Sequence, residues 1–160
     1  MSWLPAAGEP ASSEFERVFS LRPNLYAAWQ EFAALFWEKR LVPPALLELV
    51  RLRVAQMHGV DAARLRRMSE ATEAGFDESR VASLDAWWKS DRFGASERAC
   101  LRLAEQFVLD AKAISSEEVA PVRAQLGDAG TVAFVEALAL FDGFTRFQKM
   151  LGIAKLAGVT

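Results

Sequence analysis

Residues 43–75 read PPALLELVRLRVAQMHGVDAARLRRMSEATEAG. Proline needs no backbone N–H partner at a first helical position, so Pro43-Pro44 opens a helix. Leu46, Leu47, Val50, Val54 and Met57 then recur at helical spacing along one side. His58-Gly59-Val60 is a short turn. The carboxylate of Asp61 is placed to cap a second helix, and Gly75 suits the left-handed residue that ends one. Glu48, Arg51, Ala55 and His58 share the other side of the first helix, while Val60, Ala63 and Arg67 line one face of the second. Two short helices meeting at a tight corner bring these faces together, and that corner is the place to look for a site.

Working outward, residues 1–11 read as an irregular arm and 91–95 as a loop, and every periodic stretch reads as helix. Ser13 and Glu16 form a capping-box pattern ahead of Phe15, Val18 and Phe19. A second helix spans about Leu25 to Lys39, with Leu25, Trp29, Phe32 and Phe36 on one stripe. Beyond Gly75, Asp77 caps a helix through Val81, Leu84 and Trp88, and Ser96 begins another that stops near Asp110. Ser115 or Ser116 caps a further helix ending at Gly127. The last runs from about Thr131 to Leu156, with Gly143 and Gly152 inside it. No segment alternates with period two for long, and no β-hairpin turn is flanked by β-branched runs. The fold class is all-α, with about seven to eight helices. Residues 1–40 form an arm and two helices packed on a 41–157 helical domain, one globular unit overall.

The order of residues resembles the alkyl hydroperoxidase D / carboxymuconolactone decarboxylase family. The likeness rests on Leu46–Gly75, then on Glu97-Arg98-Ala99-Cys100-Leu101 with Leu103-Ala104-Glu105. It extends to Phe141-Asp142-Gly143-Phe144-Thr145-Arg146, where the family often has Asn-x-x-x-Arg, and to Leu151-Gly152-Ile153. The resemblance implies an AhpD-like helical fold, trimeric or hexameric assembly, and peroxidase-related ancestry.

The chain departs from the family's redox motif. Peroxidase members carry Cys-x-x-Cys-x-x-x-His, with a glutamate twelve residues before the first cysteine. Here that glutamate is Glu48, the cysteine positions hold Val60 and Ala63, and the histidine position holds Arg67. Peroxide reduction needs a thiolate to attack the peroxide oxygen and a second thiol to resolve the sulfenic acid. Valine and alanine do neither. The single Cys100 falls on another helix among apolar residues, where a buried, inert thiol is expected.

Three functions remain open on the sequence. The first is an oligomeric scaffold or small-ligand binder without thiol peroxidase activity. The second is a thiol-independent enzyme of the carboxymuconolactone decarboxylase type, using Glu48, His58 and Arg67 as acid/base and anion-binding groups. The third is residual peroxiredoxin activity through Cys100. Each residue also has a plainer reading. Glu48 pairs with Arg51 on an exposed helix face, His58 sits against terminal carbonyls, and Arg67 is one of a solvated arginine cluster. A Glu48–Arg67 ion pair would replace the family's glutamate–histidine relay. Asp142 and Arg146, four apart, suit either the family's polar pair or a helix salt bridge.

Composition narrows the classes. At 160 residues the chain can bury a sizeable core without disulfide or metal staples. A formal net charge of −2 leaves no basic footprint for nucleic acid. One histidine excludes a multi-histidine metal site within one chain, and no cofactor motif is present. No secretory signal pattern and no uncharged membrane-length stretch is read, and one cysteine fits a reducing compartment, so a cytoplasmic protein is expected. Trp87-Trp88 cannot both face one core, so one ring belongs at a subunit contact or groove.

Overall fold

A computed structural model describes residues 2–5, 13–38 and 41–153. Among them every regular element is helical. The α-helices are α1 (Glu14–Phe19), α2 (Pro23–Glu38), α3 (Pro44–His58), α4 (Asp61–Leu65), α5 (Ser69–Glu73), α6 (Ala95–Asp110) and α7 (Ser116–Met150). Two 3-10 segments, Glu78–Lys89 and Ala111–Ala113, complete the order.

The α3 helix is the axis of the fold. It packs against α4, α5, the 78–89 segment, α6 and α7. Leu46, Leu47, Leu49, Val50, Leu52 and Val54 are buried around nearly its whole circumference, and so are Glu48 and Ala55. Local spacing puts one apolar and one polar side on α3; Glu48 and Ala55 of the polar side are nevertheless buried too, because neighbouring elements cover both sides. Phe134, Ala137, Leu138 and Phe141 of α7, Cys100, Leu101 and Ala104 of α6, and Phe36 and Trp37 of α2 share the same core.

Capping fixes the ends. Pro43 precedes Pro44 at the start of α3, and Gly59 closes it in the left-handed conformation (φ 65°), donating to Gln56 O. Ser13 and Glu16 close the expected capping box on α1. At α6 and α7 only the returning half is made, Gly94 N donating to Glu97 Oε2 and Ser115 N to Glu118 Oε2.

Several boundaries differ from the sequence reading. Pro23 rather than Leu25 starts α2, as proline at a first helical position permits; the expected end at Lys39 lies outside the described residues. The helix expected from Asp61 to Gly75 is two short ones, broken by extended backbone at Arg66 and Met68. Val60 rather than Asp61 occupies the cap position of α4. The stretch after Asp77 is 3-10, kinked at Ala86, although Asp77 accepts from Ser79 N as a cap should. The two final helices are joined as α7, yet Gly127 holds φ 69°, ψ −179° between its arms, a conformation essentially reserved for glycine. Gly152 (φ 73°) lies beyond α7 rather than inside it, and residues 154–156 fall outside the described set. By length and composition alone α7 could cross a membrane, which the sequence reading had not anticipated. Its inner face nevertheless packs on α3 and α6, as the core helix of a folded domain does.

Candidate functional site

The elbow between α3 and α4 is built on a buried charge. Glu48 is 0% exposed, and a carboxylate without water needs a cation and hydrogen bonds to remain there. Arg51, one turn along, supplies both. Its Nε donates to Glu48 Oε2 at 2.8 Å and its Nη2 to Oε1 at 2.7 Å. The same guanidinium then crosses the elbow, Nη1 donating to Ala63 O at 2.7 Å and Nη2 to Arg66 O at 2.6 Å. One planar fork thus neutralises the carboxylate and ties α3 to the end of α4. Val60 lies at the bend, 0% exposed, its N–H donating to Ala55 O.

The expected Glu48–Arg67 ion pair is absent. Arg67 turns to Glu78, with Nε to Oε2 at 2.7 Å and Nη2 to Oε1 at 2.5 Å, and also donates to Arg64 O and Arg66 O. The hydrogen bonds between Arg67 and Glu78 raise the guanidinium above its ordinary value and hold Glu78 below the usual carboxylate range. Arg67 still feels the field of Glu48, as the weakest of the influences on it. The physical reason for the exchange is reach. Arg51 sits three residues from Glu48 on the same helix, whereas the chain opens after Leu65 and carries Arg67 toward the 78–89 segment.

His58 belongs to a different cluster. Its Nε2 lies 2.6 Å from Asp142 Oδ1 on α7, and Asp142 also accepts from Arg146 Nε at 3.0 and 2.9 Å. Lys149 Nζ donates to His58 O at 2.6 Å, capping the C-terminus of α3 with a cation. The His58–Asp142 contact joins the last turn of α3 to α7. Glu48, His58 and Arg67 therefore have three separate sets of partners: Arg51, Asp142 and Glu78 respectively.

Cys100 is 0% exposed on α6, its Sγ 3.9 Å from Gln125 Oε1. Burial, with a smaller contribution from Glu97, pushes the thiol up to about 12. At neutral pH almost none of it is thiolate, the form that reacts. Among the described residues no group of three or more His, Cys, Asp and Glu side chains comes together as a metal site would require. Trp87 is buried and donates from Nε1 to Glu105 Oε1 at 2.6 Å, an oxygen that also accepts from Arg53 Nε. Trp88 stands edge-on to it, 49% exposed.

Sequence reasoning placed Glu48 at the centre of the elbow but underrated Arg51, which entered only as a partner on an exposed face. The signal was available: a glutamate and an arginine three apart within a run of leucines and valines. The pairing of His58 with Asp142 spans 84 positions and had no local signal.

The all-helical chain has an AhpD-like fold. Its structure superposes on a crystal structure of a protein of unknown function from Agrobacterium tumefaciens, whose name proposes an AhpD-type antioxidant defence role. The TM-score is 0.73 at 16% identity, over 89% of this chain and 97% of that one. The profile of the carboxymuconolactone decarboxylase family matches residues 23–106, and the chain belongs to that family. The uncharacterized protein YdfG of Bacillus subtilis (strain 168) is 28% identical over 106 residues, 66% of this chain and 72% of YdfG.

Proposed function

We propose that this chain is a family member in which the elbow has become a structural joint: a cytoplasmic, oligomeric scaffold without thiol peroxidase activity. The α1 and α2 helices serve it as a cover, α2 packing on α7. The observation that carries this reading is the occupancy of the elbow. Glu48 and Val60 are both 0% exposed, and Arg51 fills the space between Glu48 and the α4 carbonyls. A small ligand binding there would have to displace a guanidinium that makes four hydrogen bonds, leaving a buried carboxylate unpaired. The substitution of Val60 and Ala63 for both sulfurs points the same way, since neither side chain reduces a peroxide. Cys100 lacks the accessibility and acidity of a peroxidatic thiol.

The test is turnover of an organic hydroperoxide with a dithiol reductant, on the wild type, Cys100→Ser and Glu48→Gln. The expected result is no rate above the protein-free control in any of the three. Turnover abolished by Cys100→Ser would establish the residual peroxiredoxin instead. Turnover that survives Cys100→Ser and falls in Glu48→Gln, His58→Asn or Arg67→Ala would establish a thiol-independent enzyme.

A further inference from the structure

A second apolar cluster lies apart from the core around α3. Phe15 and Phe19 of α1, Tyr26 and Trp29 of α2, and Phe144 and Phe147 of α7 meet in it, and none of these rings belongs to that core. The indole of Trp29 is at its centre. Its ring centroid lies 5.1 Å from Phe15, 5.7 Å from Phe19, 5.1 Å from Phe144 and 6.0 Å from the nearly parallel ring of Tyr26. Phe147 joins through Phe19 at 5.1 Å. Phe19 is buried, while the other rings are half-buried, so the seam between α1, α2 and the end of α7 meets solvent along its edge.

The polar atom inside this seam has nothing to bond. Trp29 Nε1 is shut off from solvent and donates to no acceptor among the described residues. Trp87 shows the ordinary arrangement, its Nε1 donating to Glu105 Oε1 at 2.6 Å. The ring faces beside Trp29 are only second-order acceptors. An oxygen brought among them would gain a directed hydrogen bond from a donor that now has none. The charge such a guest can carry is legible in Tyr26. Its phenol is raised above the ordinary value, chiefly by burial and further by Glu16, against a smaller opposing pull from Arg66. A guest's negative charge would meet the same resistance, so an uncharged molecule fits best.

We propose that this seam binds a small uncharged apolar molecule carrying an acceptor oxygen, an aromatic ketone or a quinone, whose oxygen accepts from Trp29 Nε1. The rings supply stacking and edge contacts while one donor fixes the orientation, the usual make-up of a small-molecule site. Entry parts α1 and the first turns of α2 from α7, while Phe36 and Trp37 hold the far end of α2 in the main core. The seam shares no residue with the Glu48–Arg51 joint, so ligand binding and the scaffold reading rest on different atoms and either can fail alone.

The probe is 6-propionyl-2-dimethylaminonaphthalene, an uncharged ketone whose emission reports burial and hydrogen bonding at its oxygen. Wild-type protein should bind it saturably. Trp29→Phe keeps a ring and removes the N–H, and should weaken binding by about tenfold with helicity unchanged. In competition for the wild type, 2-acetylnaphthalene should outdo 2-ethylnaphthalene, which lacks the acceptor, and anionic 2-naphthoate, each by about tenfold. In nitrogen–proton correlation spectra, the indole signal missing from Trp29→Phe should move downfield on saturation with 2-acetylnaphthalene. An indole signal that stays put, or equal affinity of wild type and Trp29→Phe for the ketone, would overturn the proposal. Should Trp29→Phe lose helicity, the competition decides alone: 2-ethylnaphthalene binding the wild type as tightly as 2-acetylnaphthalene would mean unspecific adsorption and would equally overturn it.

Discussion

Arg51 and Glu48 meet face to face, fork to carboxylate, with the carboxylate out of reach of water and the guanidinium only 12% exposed. Removing one partner of such a pair strands the other. Arg51→Ala should therefore cost about 3–5 kcal/mol in chemical denaturation. Arg51→Lys should recover only part of this, because an ammonium cannot reproduce two parallel bonds and also reach two carbonyls. The double variant Glu48→Met, Arg51→Met should be more stable than Arg51→Ala. A double variant as damaged as the single would show that the buried charge is not the source of the loss.

Arg67 is the contrasting case. Its partner Glu78 is 64% exposed, so solvent screens most of the attraction. Arg67→Ala should cost about 1 kcal/mol or less by the same measurement, well below Arg51→Ala. Equal losses would mean that Arg67 bears on the elbow after all.

The α3–α7 contact should be sensitive at Asp142. That carboxylate accepts from both His58 and Arg146, and is 17% exposed. Asp142→Ala should destabilise by about 1.5–3 kcal/mol, the worth of hydrogen bonds to a charged group, while Arg146→Ala should cost less than half as much. Thermal melts of the two variants side by side decide it.

Cys100 yields a prediction in pH. Burial pushes its folded thiol up to about 12 from an ordinary value of 9.0, so the folded state keeps the proton that the unfolded chain gives up. The stabilisation this linkage brings is whole below about pH 9 and is lost as pH rises toward 12. Wild type minus Cys100→Ala stability should therefore decline over that window and stay flat from pH 6 to 8. In the native state at pH 7.5 the thiol should resist iodoacetamide, and it should react promptly in denaturant.

Gly127 should tolerate no side chain. Its φ of 69° with ψ of −179° falls where L-residues are strained, although open space surrounds the missing Cβ. Gly127→Ala should destabilise by about 1–3 kcal/mol through the backbone alone. A neutral effect would mean that the two arms of α7 can join without this conformation.

Much of the architecture could be read from local chemistry. Ser13 with Glu16, Asp77 with Ser79, and Gly59 closing α3 are short-range rules that the chain obeys. The break after Leu65 could not be read that way. Ala63 O, Arg64 O and Arg66 O accept from arginine side chains, and nothing in the residues that own those carbonyls announces it. Spacing left Glu48 two partners, Arg51 beside it and Arg67 across the elbow; the bond is to Arg51, and the burial of Glu48 on the second side of α3 is a tertiary fact. The pairing of His58 with Asp142 is tertiary too, joining residues that only the completed bundle brings within 2.6 Å.

The Arg51 clamp has one more consequence. A bend secured by sulfur opens or closes as electrons come and go, whereas one secured by a guanidinium on carbonyl oxygens has no oxidised and reduced forms. This elbow should keep a single shape in dithiothreitol and in peroxide alike, a fixed strut indifferent to the redox state of its surroundings.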